Sequence, residues 1–162
     1  MQREDGKGSE RKADVVLFPS TSSSPSAPRH GHRCIPIRHV QKDGARALEI
    51  LLISSKSGNL LVLPKGGWEV DETLEAAAAR ETLEEAGVIG DLEGAKLGPY
   101  VFQSKSNGVC KAFMYIMRVK EELDEWPERE ARKRGWYSVE EAVKLCKWDW
   151  MKTALNEAKE II

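Results

Sequence analysis

The chain has 162 residues, 41% hydrophobic and 31% charged, the profile of one ordinary globular domain with a sizeable core. Its 25 Lys and Arg against 26 Asp and Glu leave a net charge of -1. That excludes a globally basic nucleic-acid coat protein and leaves a locally basic pocket open.

The three cysteines, Cys34, Cys110 and Cys146, form no C-x-x-C pair. They support neither a disulfide framework nor a zinc site, and a reducing compartment follows. No apolar run approaches the roughly 18 residues of a membrane span. The N-terminus lacks a secretory h-region. It carries Glu4, Asp5, Glu10 and Asp14, against the acid-poor composition of organellar leaders. Cytosol or nucleus is the expected compartment, with an organellar signal in the N-terminal tail left open.

Residues 1–30 read as a flexible Ser/Pro-rich tail, and 31–162 as the domain. Within the tail, 15–18 is an apolar patch that could add an edge strand. Residues 34–40, 47–55 and 60–64 alternate or cluster apolar residues between turn signals and predict antiparallel strands. Residues 72–86 predict the clearest helix, rich in Ala, Leu, Glu and Arg, with Asp71 as N-cap and Gly87 as the C′ residue. Strands are expected around 88–102 and 111–119, then a polar connection over 121–135. Helices are expected over 136–146 and 148–162. Strands, a helix, more strands and more helices predict an α+β fold, a mixed sheet with helices packed on it.

The helix raises an electrostatic problem. Helical geometry groups Ala76, Ala79, Leu83 and Ala86 on one side and Glu81, Glu84 and Glu85 on the other. Carboxylates at i, i+3 and i+4 repel one another. They also lie toward the C-terminal end, where the helix dipole disfavours anions. A bound hard cation removes both penalties, since Mg²⁺ prefers oxygen ligands. The loop before the helix, Pro64-Lys65-Gly66-Gly67, pairs a cation with two glycines that let the backbone approach a phosphate-sized ligand.

Residues 66–88, GGWEVDETLEAAAARETLEEAGV, resemble the Nudix box: G, five residues, E, seven residues, then R-E-U-x-E-E-x-G-U, with U apolar. Gly66, Glu72, Arg80, Glu81, Glu84, Glu85, Gly87 and Val88 match, and Thr82 departs at the first U. The resemblance implies a Nudix fold, an α/β/α sandwich. It implies Mg²⁺ or Mn²⁺ on Glu81, Glu84 and Glu85, with Arg80 orienting a glutamate and Glu72 supporting the loop. The implied reaction is hydrolysis of a diphosphate linked to another moiety, with Glu84 or Glu85 taking the water's proton.

The P-K-G-G run resembles that of diphosphoinositol polyphosphate and diadenosine polyphosphate phosphohydrolases, and PKGGWE resembles a plant set of Nudix hydrolases. The likeness extends over roughly 32–157. Basic residues are spread along that stretch, among them Arg33, Lys56 and the run from Arg132 to Arg134. Substrate is expected on Arg38, Ser55, Lys65, Gly66, Gly67, Lys105, Lys111, Arg132, Lys133 and Arg134, since Lys and Arg suit phosphates. Trp126, Trp136, Trp148 and Trp150 are expected in core or rim packing, and His30, His32 and His39 at the surface. The expected partner is a small polyphosphate handled by a monomer, with no membrane or nucleic acid. Two other readings stand beside it: a hydrolase of ADP-ribose, dinucleotides or an mRNA cap, and a Nudix-fold binder without turnover.

Overall fold

The computed structural model describes residues 29–67, 71–106 and 108–162. Residues 1–28 of the expected tail, with its apolar patch, and Trp68 fall outside them, while Arg29 and His30 open the first strand. The described strands form one seven-stranded mixed sheet.

Strand β1 (Arg29–Lys42) runs through its middle, antiparallel to β2 (Ala45–Ser54) and parallel to β6 (Gly108–Glu122). Apolar side chains on both faces of β1 suit this central position: Cys34, Ile35 and Ile37 are fully buried. Strand β5 (Val88–Ser104) pairs with β6 at one edge, and β3 (Leu61–Val62) with β2 at the other. The two-residue strand β4 (Lys65–Gly66) pairs back onto β1, His32 opposite Gly66 and Arg33 opposite Lys65. The glycine loop is thereby fixed to the sheet's centre.

Helices cover both faces. Helix α1 (Leu74–Ala86) packs on the face of Cys34, whose thiol meets the Ala78 carbonyl at 3.5 Å. On the other face α3 (Asp149–Ile161) brings Trp150 over Arg33 and buries Met151, Ala154, Leu155 and Ala158. Helix α2 (Val139–Leu145) packs against α3 and β2. The expected α+β sandwich is the observed fold.

Four local expectations change. The N-cap of α1 is Thr73, whose hydroxyl accepts from the Ala76 N–H at 3.1 Å, two residues after Asp71. The helix is rolled from the expected orientation: Ala77, Ala78, Thr82, Glu85 and Ala86 are buried, and Ala76 is exposed. Packing against the sheet selects this stripe, and Thr82 fits it because its hydroxyl donates to the Ala78 carbonyl at 2.7 Å. Residues 136–138, expected to open a helix, instead join the end of the polar connection in strand β7 (Arg134–Ser138) against β2; Ser138 and Glu141 then cap α2 with a capping box. His32 is buried, not at the surface, with its ring stacked on Phe113.

The polar connection closes the C-terminal end of α1. The Glu128 N–H donates to the Glu84 carbonyl at 3.0 Å, and the Trp126 indole to the Glu85 carbonyl at 3.2 Å. Arg134 donates to the carbonyls of Ala86 and Gly87 at 2.9 and 3.1 Å and stacks on Trp126. These donors satisfy carbonyls that a helix end leaves without partners, and Arg134 sets a cation at the negative end of the dipole.

Gly87 ends the helix at φ +66, and a Cβ there would lie 2.5 Å from the Trp126 ring. Gly94 has a similar φ of +70 in open space. Gly94→Ala is expected to cost about 1–2 kcal/mol of left-handed strain. Gly87→Ala adds the collision and should cost clearly more in urea unfolding. Equal losses would show that Trp126 does not bear on Gly87.

Candidate active site

The sheet, the glycine loop and the connection enclose a cleft of about 540 Å³. Its lining includes Arg33 from β1, Ser55 and Lys56 after β2, Lys65, Gly66 and Gly67, Glu85 from α1, Arg132 and Trp148. Glu85 is the one carboxylate among the described lining residues.

Glu85 anchors the cleft wall. One carboxylate oxygen accepts the Lys65 backbone N–H at 2.8 Å, and the other accepts Arg132 Nη2 at 3.1 Å. Both side chains of this ion pair are nearly shut off from water, at 3% exposure for Arg132 and 8% for Glu85. Arg132 also donates to the Ser54 carbonyl at 3.0 Å, so the guanidinium bridges β2 and α1. Burial pushes the Glu85 carboxyl above its ordinary range, while the Lys65 N–H and Arg132 pull it back. The Lys65 ammonium, at the mouth of the cleft, is lowered by desolvation and by Arg33 beside it.

A second cluster lies beside the first. Arg80 grips Glu72 with two guanidinium nitrogens and reaches the Gly67 carbonyl at 3.3 Å. The same guanidinium donates to Glu81 at 3.0 Å and to Glu84 at 3.3 Å. It therefore ties the glycine loop to the helix and draws two of the three carboxylates toward itself. Among the described residues no three His, Cys, Asp or Glu side chains are placed as a group that could hold a metal ion. The donor set nonetheless fits a hard divalent ion. Three carboxylates lie within five residues, and Glu81 occupies the space that a Cβ on Gly66 would take. Burial raises the Glu81 carboxyl as well as Glu85, a cost that an opposing cation offsets.

The structure brings Glu72, Arg80, Glu81, Glu84 and Glu85 together, with Ser55, Lys65, Gly66, Gly67 and Arg132 on the adjoining cleft wall. Other expected substrate residues stand elsewhere. Arg38 pairs with Glu49 at 2.8 Å and stacks on Trp136. Arg134 caps α1. Lys133 is exposed by a smaller hollow behind Arg132, its backbone tied to Ser54. Lys105 is exposed in the turn between β5 and β6, and Lys111 lies on β6; neither lines the cleft.

Arg33, Lys56 and Trp148 line the cleft without having been among the expected substrate residues. Arg33 carried a signal, a basic residue among apolar ones in a central strand. Trp148 carried none, because its position depends on how α3 docks.

A model of the NUDIX domain matches residues 32–157. The chain is 53% identical over 137 residues to "Nudix hydrolase 16, mitochondrial" of Arabidopsis thaliana, covering 76% of each chain. It is 36% identical over 115 residues to a human diphosphoinositol polyphosphate phosphohydrolase, covering 69% of this chain and 59% of that one. The fold is similar to a solved Ap4A hydrolase of C. elegans, with a TM-score of 0.63 at 19% identity over 83% of this chain and 98% of that one.

Arg132→Met should leave the buried Glu85 carboxylate without its counter-ion, at a cost of about 3–5 kcal/mol. Adding Glu85→Gln should restore part of that loss in a double-mutant cycle of chemical unfolding. Simple additivity of the two losses would mean the pair is not coupled.

Proposed function

The chain belongs to the NUDIX family of hydrolases, and from that premise we propose that it cleaves a phosphoanhydride bond in a densely anionic small molecule. Diphosphoinositol polyphosphates are the first substrate class, and diadenosine polyphosphates the second. The observation carrying this reading is the charge of the cleft. Arg33, Lys56, Lys65 and Arg132 surround a single lining carboxylate, Glu85, in a chain of net charge -1. The human relative named for diphosphoinositol polyphosphates supports the same class.

A bound Mg²⁺ or Mn²⁺ neutralises phosphate oxygens and lowers the pKa of the attacking water. Glu81, Glu84 and Glu85 would hold it. The chain's own residues divide the remaining tasks. Lys65 meets phosphate oxygens at the cleft mouth, and Gly66 and Gly67 let the substrate lie against backbone. Arg80 and Glu72 keep the loop and helix in register. Glu85 is assigned as the proton acceptor over Glu84 because it lies on the cleft wall. Burial makes it a stronger base than an exposed glutamate, and the Lys65 N–H with Arg132 favours its ionised form.

One observation favours a nucleotide substrate. Trp148 is 46% exposed on the cleft wall and offers a ring on which a base could stack. Tyr100 gives no such support, being buried with its hydroxyl on Glu157. The three box carboxylates disfavour a binder without turnover. No helix among the described residues is long and apolar enough to cross a membrane. The name of the Arabidopsis relative makes the mitochondrion the proposed compartment, ahead of the cytosol or nucleus suggested by composition. A single chain is proposed to suffice for activity.

The test is product release with Mg²⁺ from a diphosphoinositol polyphosphate, a diadenosine polyphosphate and ADP-ribose. Preference for one of the first two is expected, with loss of turnover in EDTA. Glu85→Gln should lower kcat by about 10²–10⁴. Preference for ADP-ribose would overturn the substrate class. Folded, metal-supplied protein without turnover on any of the three would point to the binding module.

A further inference from the structure

Arg33 is the most unusual charge among the described residues. It stands on the central strand, 9% exposed, and still lines the cleft. Its Nε and Nη1 are shielded from water and have no hydrogen-bond partner among the described residues. Its guanidinium lies 4.6 Å from the Trp150 ring centre and 5.6 Å from that of Phe102, and these two rings stack on each other at 4.8 Å. The aromatic platform orients the cation without hydrogen-bonding to it. The opposing charge that acts on it most is Glu85, whose two oxygens already accept from Lys65 and Arg132.

A buried guanidinium with unmet N–H groups is costly in a folded protein. Most buried polar groups find a partner, and those that do not are candidates for one that arrives with a ligand. Three other side chains among the described residues share the feature. His32 and Tyr115 do not line the cleft, and Arg132 Nε lies 3.5 Å from Glu128, within ion-pair range. Arg33 combines burial, unmet donors and a cleft position without such an ion pair. Its surroundings specify the partner's charge: Lys65 is opposite it in the β1–β4 pairing, and Arg132 lines the same cleft. Only an anion is favourable among these cations, and a phosphate offers oxygens in the geometry a guanidinium binds best.

We propose that Arg33 is a specificity-determining residue that receives a phosphate of the substrate beyond the bond being cleaved, its plane held by Trp150 and Phe102. This rests on the polyphosphate reading of the cleft and adds to it a residue outside the box. Arg33 discriminates by phosphate content: a substrate with additional phosphates meets its unpaired donors, and one without them leaves the guanidinium desolvated and unpaired.

The test separates binding from turnover. Inositol hexakisphosphate contains no phosphoanhydride bond, so its binding in EDTA, measured by calorimetry on the full chain, reports the anion site alone. Arg33→Met should weaken it by about tenfold or more, as for loss of a charge-assisted hydrogen bond. Arg33→Lys, which keeps the charge and loses the planar fork, should fall between, and Arg46→Met, at the exposed start of β2, should match the wild type. In turnover of a diphosphoinositol polyphosphate, Arg33→Met should raise KM by a similar factor and leave kcat within about threefold. A wild type that does not bind inositol hexakisphosphate overturns the proposal. So does an Arg33→Lys protein that binds it as the wild type does while melting at a lower temperature, since that would make Arg33 a packing residue. Binding lost with Arg33→Met in a protein that prefers ADP-ribose would sustain the anion site and sink the substrate class.

Discussion

The buried carboxylate of Glu85 is the constraint on which the site depends. A carboxylate removed from water must be met by donors and by opposing charge, and each donor here comes from a different part of the chain. The Lys65 N–H comes from the glycine loop, and Arg132 from the connection before β7. Arg132 reaches on to the Ser54 carbonyl and so ties in the end of β2. Loop, helix, connection and strand meet because one charged group is held among them. The arrangement is oriented as well as stable: both oxygens of Glu85 are fixed, and the cleft wall is fixed with them.

The anionic C-terminal half of α1 can be understood in the same terms. Carboxylates near the negative end of a helix repel one another and oppose its dipole. A metal relieves this when bound, but the chain also carries its own relief. Arg80 serves Glu72, Glu81 and Glu84 at once, Arg132 serves Glu85, and Arg134 sits on the terminal carbonyls. No basic residue lies in the last turn of the helix itself. Two of the three compensating arginines arrive from the connection, some fifty residues further along the chain, which explains why a stretch of polar, weakly patterned sequence folds tightly against α1.

Features set by neighbours in sequence could be read before the structure. The helix over 72–86, its glycine end at Gly87 and the carboxylate spacing depend on contacts within a turn or two, and they stand close to where they were expected. The roll of α1 could not be read, because Ala76 and Ala78 are equivalent until the sheet chooses between them. Strand β7 was missed because Trp136 and Tyr137 suit a strand or a helix, and pairing with β2 decides. The basic residues were hardest. Charge shows that a pocket can be positive, but not which cations line it.

Arg33 and Arg38 make the point within one strand. Both are arginines on β1, and both stack on tryptophan. Arg38 lies where β1 runs beside β2, and Glu49 directly across the register neutralises it at 2.8 Å. Arg33 lies where β1 turns from β2 to the two-residue β4, and the residue across from it is Lys65, another cation. The same side chain on the same strand is satisfied at one position and unsatisfied at the other because the pairing partner changes from a long strand to the glycine loop. A protein under selection for stability alone would place a carboxylate opposite Arg33, as it does opposite Arg38. It has instead gathered cations there, and the electrostatic cost of doing so is removed only when an anion occupies the cleft.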